Sequence, residues 1–169
     1  MNGKTHVAGG LVAGILTVAA LAKYDGTPLS FFDAVGCVVV AGFGSLIPDI
    51  DLHRSKIGNK TGPLSILIHF FFGHRTFFHS PLFLVLSFLL LRHIFPHNEQ
   101  MVVAIVAGMA SHLLLDALNK AGIPLLYPYP KRFWVIGIKT GSAIEGAVML
   151  ALYSLFFLFG ITIFASTIF

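Results

Sequence analysis

The chain has 169 residues, 56% of them hydrophobic and only 11% charged, with a mean hydropathy of +0.87. Soluble domains carry roughly 25% charged residues, so this composition excludes an ordinary soluble domain and predicts one compact integral membrane domain over residues 1–169. A net charge of +4 and a pI near 9.4 do not argue for nucleic acid, because the basic residues are spread between apolar segments and form no stripe on a soluble face; anionic lipid suits them better.

Five stretches are apolar enough to span, at 5–22, 31–48, 81–95, 101–118 and 143–168. Several lie near the lower limit of about 17 to 25 residues for a membrane helix, and 81–95 is the weakest. The first lacks the usual small-residue cleavage site and already holds His6, which predicts a retained helix and not a removed signal. The second holds Cys37, the only cysteine, so no disulfide framework and no thiolate cluster is available and any metal must be held by nitrogen and oxygen. The stretch 64–72 is apolar but too short to cross, and predicts a helix lying along the interface. Ser80-Pro81 predicts a capped helix start with proline in the first turn, and Ser142 with Glu145 matches a capping box. Glycines at 9, 10 and 14 and at 36, 42 and 44 leave room for close helix contact. The expected fold is all-α: a polytopic bundle of about five transmembrane helices plus one short interfacial helix.

Orientation follows from the basic residues. With five alternating spans, Lys4, Arg54, Lys56, Lys60, Arg75, Lys120, Lys131, Arg132 and Lys139 fall on one side, against Lys23 and Arg92 on the other. The richer side, with the N-terminus, is expected to be cytoplasmic. That same side receives eight side chains of metal-binding type: His6, Asp49, Asp51, His74, His79, His112, Asp116 and Glu145. Four of the seven acidic residues belong to this set, whereas solvated charges would distribute to both sides. A transporter is disfavoured, since its acids would gather at the midplane.

Each fragment has an ordinary alternative. In Ile47-Pro48-Asp49-Ile50-Asp51 an extended turn could present both carboxylates to one cation, or could simply end a helix with two solvated acids. His112 and Asp116 are four apart, on one helical face, and suit a ligand pair or a hydrogen-bonded pair joining helices. His74-Arg75-Thr76-Phe77-Phe78-His79-Ser80 fits two ligands with a guanidinium for a phosphate group, or an interfacial basic and aromatic anchor. His6 and Glu145 are weaker alone, Glu145 being already accounted for by its capping box.

Thr5-His6, Pro48-Asp49-Ile50-Asp51, His74-Arg75, His79-Ser80, Ser111-His112-Leu113-Leu114-Leu115-Asp116 and Gly122-Ile123-Pro124-Leu125-Leu126-Tyr127-Pro128 together resemble the bacterial inner-membrane, LexA-binding family of metal-dependent hydrolases. The match runs in order along nearly the whole chain. The resemblance implies a multi-pass protein of the bacterial cytoplasmic membrane and a hydrolase activity.

The leading expectation is therefore a metal-dependent hydrolase at the cytoplasmic membrane face, cleaving a phosphoester of a lipid or lipid-linked molecule. Eight candidate ligands exceed what one tetrahedral ion needs, which makes one or two ions the expected content; zinc is favoured, with manganese or magnesium open. Asp49 or Asp51 would bridge a pair, Glu145 or an aspartate such as Asp49 would act as general base, and Arg75 would neutralise developing charge. Lys131, Arg132 and Lys139 beside Tyr127, Tyr129, Phe133 and Trp134 suit an anionic headgroup or plain membrane anchoring. The alternative is a non-catalytic membrane protein whose His and Asp cluster ties helix ends together or tunes binding of a partner.

Overall fold

The computed structural model describes residues 1–26, 29–51, 76–129 and 131–168. Among them the protein is all-helical: α1 (Gly3–Asp25), α2 (Phe31–Gly44), α3 (Pro81–Ile94), α4 (Glu99–Leu118) and α5 (Ala143–Ile168), with short 3-10 turns at Ile47–Asp51 and Phe77–His79. Gly3–Tyr24, Phe31–Ile50, Glu99–Leu118 and Ala143–Ile163 are long and apolar enough to cross a membrane. α3 is apolar but has only 14 residues, about 21 Å of helix against a hydrocarbon core of about 30 Å. The interfacial helix expected at 64–72 lies outside the described residues.

Helix ends follow local chemistry. The Asn2 side chain accepts from the Thr5 amide at the start of α1. Ser80 caps α3 by accepting from the Phe83 amide, with Pro81 at the first helical position, where its missing N–H costs nothing. Ser142 accepts from the Glu145 amide at the start of α5. The reciprocal half of the expected capping box goes elsewhere: Glu145 takes its donors from Gly141, Asn2 and Thr5.

α1, α2 and α4 pack on one another, α5 leans mainly on α1, and α3 rests on α4. Within the three-helix centre, Ile15, Val18, Ala34, Cys37, Val38, Ala41 and Ala104 are buried together. In a bilayer, lipid tails are as apolar as leucine, so association relies on close packing and small residues at the crossings. A Cβ on Gly108 would overlap the carbonyl of Ala41, and one on Gly14 would stand 2.7 Å from the Val38 Cα. By contrast Leu86, Leu89, Leu150 and Leu158 point outward and are exposed, as suits helix faces that meet hydrocarbon.

The connection between α4 and α5 is folded, not extended. Isolated bridges pair Asn119 with Ile138 and Ile123 with Phe133, and the Asn119 amide side chain donates to the Thr140 hydroxyl at 2.8 Å. This loop brings the start of α5 back to the start of α1.

Gly108→Val is expected to destabilise the bundle by about 3 kcal/mol, since the obstructing atoms are backbone and cannot yield. Gly146→Ala, at a position where an added Cβ meets nothing within 4 Å, is the matched control. Thermal unfolding in detergent distinguishes the two; equal midpoints would contradict the packing described.

Candidate metal centre

Five of the eight candidate ligands converge at one end of the bundle. His6 comes from the first turn of α1, Asp49 from the 3-10 turn after α2, His79 from the 3-10 turn before α3, and His112 and Asp116 from the last turns of α4. The side chains of His6, His79, His112 and Asp116 are fully buried, and that of Asp49 is 14% exposed.

The local structure aims these groups. α2 ends at Gly44, and the Ser45 carbonyl that follows accepts a hydrogen bond from His112 Nδ1 at 2.6 Å. A carbonyl only accepts, so Nδ1 carries a proton and Nε2 is the ring nitrogen turned to the cluster. His79 is held in its turn by its amide, which donates to the Thr76 carbonyl at 3.2 Å. The flanking Phe77 and Phe78 pack edge-on against Phe83, and Phe77 also meets Tyr127. Pro48 and the amide of Asp49, which donates to the Leu46 carbonyl at 3.2 Å, shape the Asp49 turn.

The ligand atoms then form a small polyhedron. His79 Nε2 lies 3.3 Å from His112 Nε2, 3.6 Å from Asp49 Oδ1 and 3.6 Å from Asp116 Oδ2. His112 Nε2 lies 3.8 Å from Asp49 Oδ1 and 3.7 Å from Asp116 Oδ2. Bonds of about 2.0–2.1 Å, typical of zinc, give tetrahedral edges of about 3.3–3.4 Å. The five distances run from such an edge to a few tenths of an ångström beyond it, and Asp49, His79 and His112 form one group whose ligand atoms could hold a cation.

A second group shares part of that set. His6 stacks on His112 with ring centroids 3.6 Å apart and planes at 13°, and His6 Nε2 is 3.4 Å from Asp116 Oδ1. The same Oδ1 accepts from the Met1 ammonium at 2.5 Å. The two oxygens of Asp116 thus face two different sets of partners. The sequence expectation put a bridging carboxylate at Asp49 or Asp51, and the Asp51 side chain lies outside the described residues; Asp116 is a further carboxylate whose two oxygens face different imidazoles.

Glu145 stands apart. Its Oε1 accepts from the Asn2 amide at 2.5 Å and the Thr5 hydroxyl at 3.3 Å, and its Oε2 from the Gly141 amide at 2.6 Å. It clasps the start of α5 to the start of α1, next to His6, and is absent from both ligand groups found among the described residues. The side chain of Asp51, together with His74 and Arg75, lies outside the described residues. Sequence reasoning missed the Ser45 carbonyl, which carries no side-chain signature. It also missed the Asn2 cap, although a capping residue just before an apolar run was there to be seen.

Glu145→Ala would leave the Asn2 and Gly141 amides without their acceptor, at a cost of about 3 kcal/mol. A lowered unfolding midpoint in chelator-treated protein is the expected result. An unchanged midpoint there, with metal affinity alone reduced, would mean that Glu145 is a ligand and not a clasp.

The profile of the YdjM inner membrane protein family matches residues 1–168. Protein YvsG of Bacillus subtilis is 40% identical over 153 residues, covering 90% of this chain and 89% of its own. Inner membrane protein YdjM of Escherichia coli and its Shigella flexneri counterpart are each 34% identical over 117 residues, covering 64% of this chain and 58% of theirs. No solved structure matches. On the family profile and the near full-length likeness to YvsG, the chain belongs to the YdjM inner membrane protein family.

Proposed function

We propose that the protein is a metal-dependent hydrolase acting at the cytoplasmic face of the bacterial inner membrane on a phosphoester of a lipid or lipid-linked molecule. The observation that carries this reading is a pair of three-residue groups of metal-binding type, Asp49/His79/His112 and His6/His112/Asp116, at one end of an apolar bundle, since three protein ligands leave a position open for water or substrate. Imidazoles and carboxylates suit zinc first and manganese or magnesium second. One ion would be held by Asp49, His79 and His112, and a second would lie toward His6 and Asp116. The cytoplasmic placement rests on the nine-to-two distribution of Lys and Arg.

The ion would supply Lewis acidity to a phosphoryl oxygen and to the attacking water. Asp49 is the partly exposed member of the cluster, which supports giving it contact with the substrate and the role of proton acceptor. Arg75, a few residues before His79, would offer bidentate hydrogen bonds to the phosphate group. Membrane lipid supplies an anionic headgroup at the depth where the cluster lies, whereas a nucleic acid would need a basic soluble face.

A second reading is favoured by one observation. Four of the five converging side chains are fully buried, as in a structural site where a metal ties helix ends together and leaves no open position.

Release of phosphate from phosphatidic acid, or of glycerol phosphate from phosphatidylglycerol, in mixed micelles separates the two. Under the hydrolase reading Asp49→Ala, His79→Ala and His112→Ala each lose more than about 100-fold in turnover, beyond the 10- to 100-fold of a lost supporting contact, while circular dichroism stays helical. No turnover by wild type, together with a sharp fall in unfolding temperature on chelation, would favour the structural reading.

A further inference from the structure

A cavity of about 740 Å³ lies along the face between α1 and α4, flanked by Leu152 of α5. Three shallower grooves on the apolar surface enclose about 200 to 290 Å³. A volume of 740 Å³ falls within the range of small-molecule sites, about 300–1,000 Å³.

Small residues make this space. Ala13, Thr17 and Ala20 on α1 face Ala107 and Ala110 on α4. At α2 the small residues let backbones touch; here they border open volume. The Thr17 hydroxyl donates to the Ala13 carbonyl at 2.9 Å and the Ser111 hydroxyl to the Gly108 carbonyl at 2.7 Å. Both protons are already committed, and apart from these two hydroxyls and Tyr24 at the far end the lining is Gly and apolar side chains, which suits an apolar guest.

The groove has a direction. Its narrow end is at Gly9, where an added Cβ would stand 2.6 Å from Leu115 Cδ1. His6 lies one turn further along α1, and the wall residues Ser111 and Leu115 immediately precede His112 and Asp116. From Gly9 to Tyr24 the groove follows α1 for about 22 Å, inside segments long and apolar enough to cross a membrane. An apolar trough that begins one helical turn from the polar cluster and runs along an apolar helix long enough to cross a membrane matches a lipid, with its phosphate end toward the cluster and its hydrocarbon along the trough.

We propose that the groove between α1 and α4 seats one aliphatic chain of the lipid on which the metal centre acts; this rests on the hydrolase reading and names its substrate as one held by its tail. The test uses full-length protein in phosphatidylcholine nanodiscs containing a minor fraction of phosphatidic acid with a diazirine at mid-chain. After photolysis, mass spectrometry should place cross-links on the groove wall, at Leu16 and Leu114 foremost. Ala107→Trp, which fills the groove, should lower them about ten-fold, equivalent to 1.4 kcal/mol, with cross-links at outward Leu150 and Leu158 unchanged. If that variant does not fold, Ala20→Phe at the exposed end replaces it.

Cross-links scattered evenly over Leu86, Leu150 and Leu158, or undiminished when the groove is filled, would overturn the proposal. So would an absence of groove cross-links in wild type, as when a second copy of the chain occupies it. Phosphate release is measured on the same samples. Groove labelling without turnover would sink the hydrolase reading and leave the seat standing; turnover with scattered labelling would do the reverse.

Discussion

Asp116 places a carboxylate, fully buried, at the end of a helix that is long and apolar enough to cross a membrane. Removing an ionised carboxylate from water costs several kcal/mol even after relaxation, and in an apolar bundle that cost must be met by cations or by donors at close range. The surrounding residues are arranged to meet it. Oδ1 faces the Met1 ammonium and His6, and Oδ2 faces His79 and His112. His112 is in turn held by a backbone carbonyl, which fixes the nitrogen it presents. A divalent cation bound there would add positive charge beside the two carboxylates of the cluster.

The rest of the fold serves that convergence. Ligands reach the cluster from α1, α4 and two 3-10 turns, so their spacing depends on how closely the helices cross. Gly14 and Gly108 set that approach by leaving backbone against backbone. The Glu145 clasp then fixes the start of α1, and with it His6, relative to α5. The folded connection after α4 gives the Gly141 amide the position it needs to complete the clasp. Packing in the membrane interior and polar satisfaction at its edge thus form one connected structure.

Much of this was legible in the sequence because each signal there is local. Apolar runs mark the helices, Ser80 and Ser142 mark two helix starts, and the four-residue spacing of His112 and Asp116 puts them on one face. Counting Lys and Arg placed all eight candidate ligands on one side, and the five whose side chains are described as converging share one end. The partition of acids was not legible, because Glu145 at the third position of a capping box looks the same whether it caps, clasps or ligates. Only the three-dimensional return of the 119–142 connection shows that its donors come from Asn2 and Gly141. The placement of Asp116, with its two oxygens facing different imidazoles, likewise depends on which helices pack together. The groove was hidden for a related reason: small residues on a helix face read as close contact, and along α1 and α4 some of them border space instead.

The central claim is that this cluster is a metal centre, and elemental analysis of detergent-purified, unchelated protein tests it most directly. One or two zinc or manganese atoms per folded chain, lost in a His112→Ala/Asp116→Ala double variant that remains helical, is the predicted result. A metal-free wild type, as stable before chelation as after it, would contradict the account and leave a hydrogen-bonded cluster of imidazoles and carboxylates in its place.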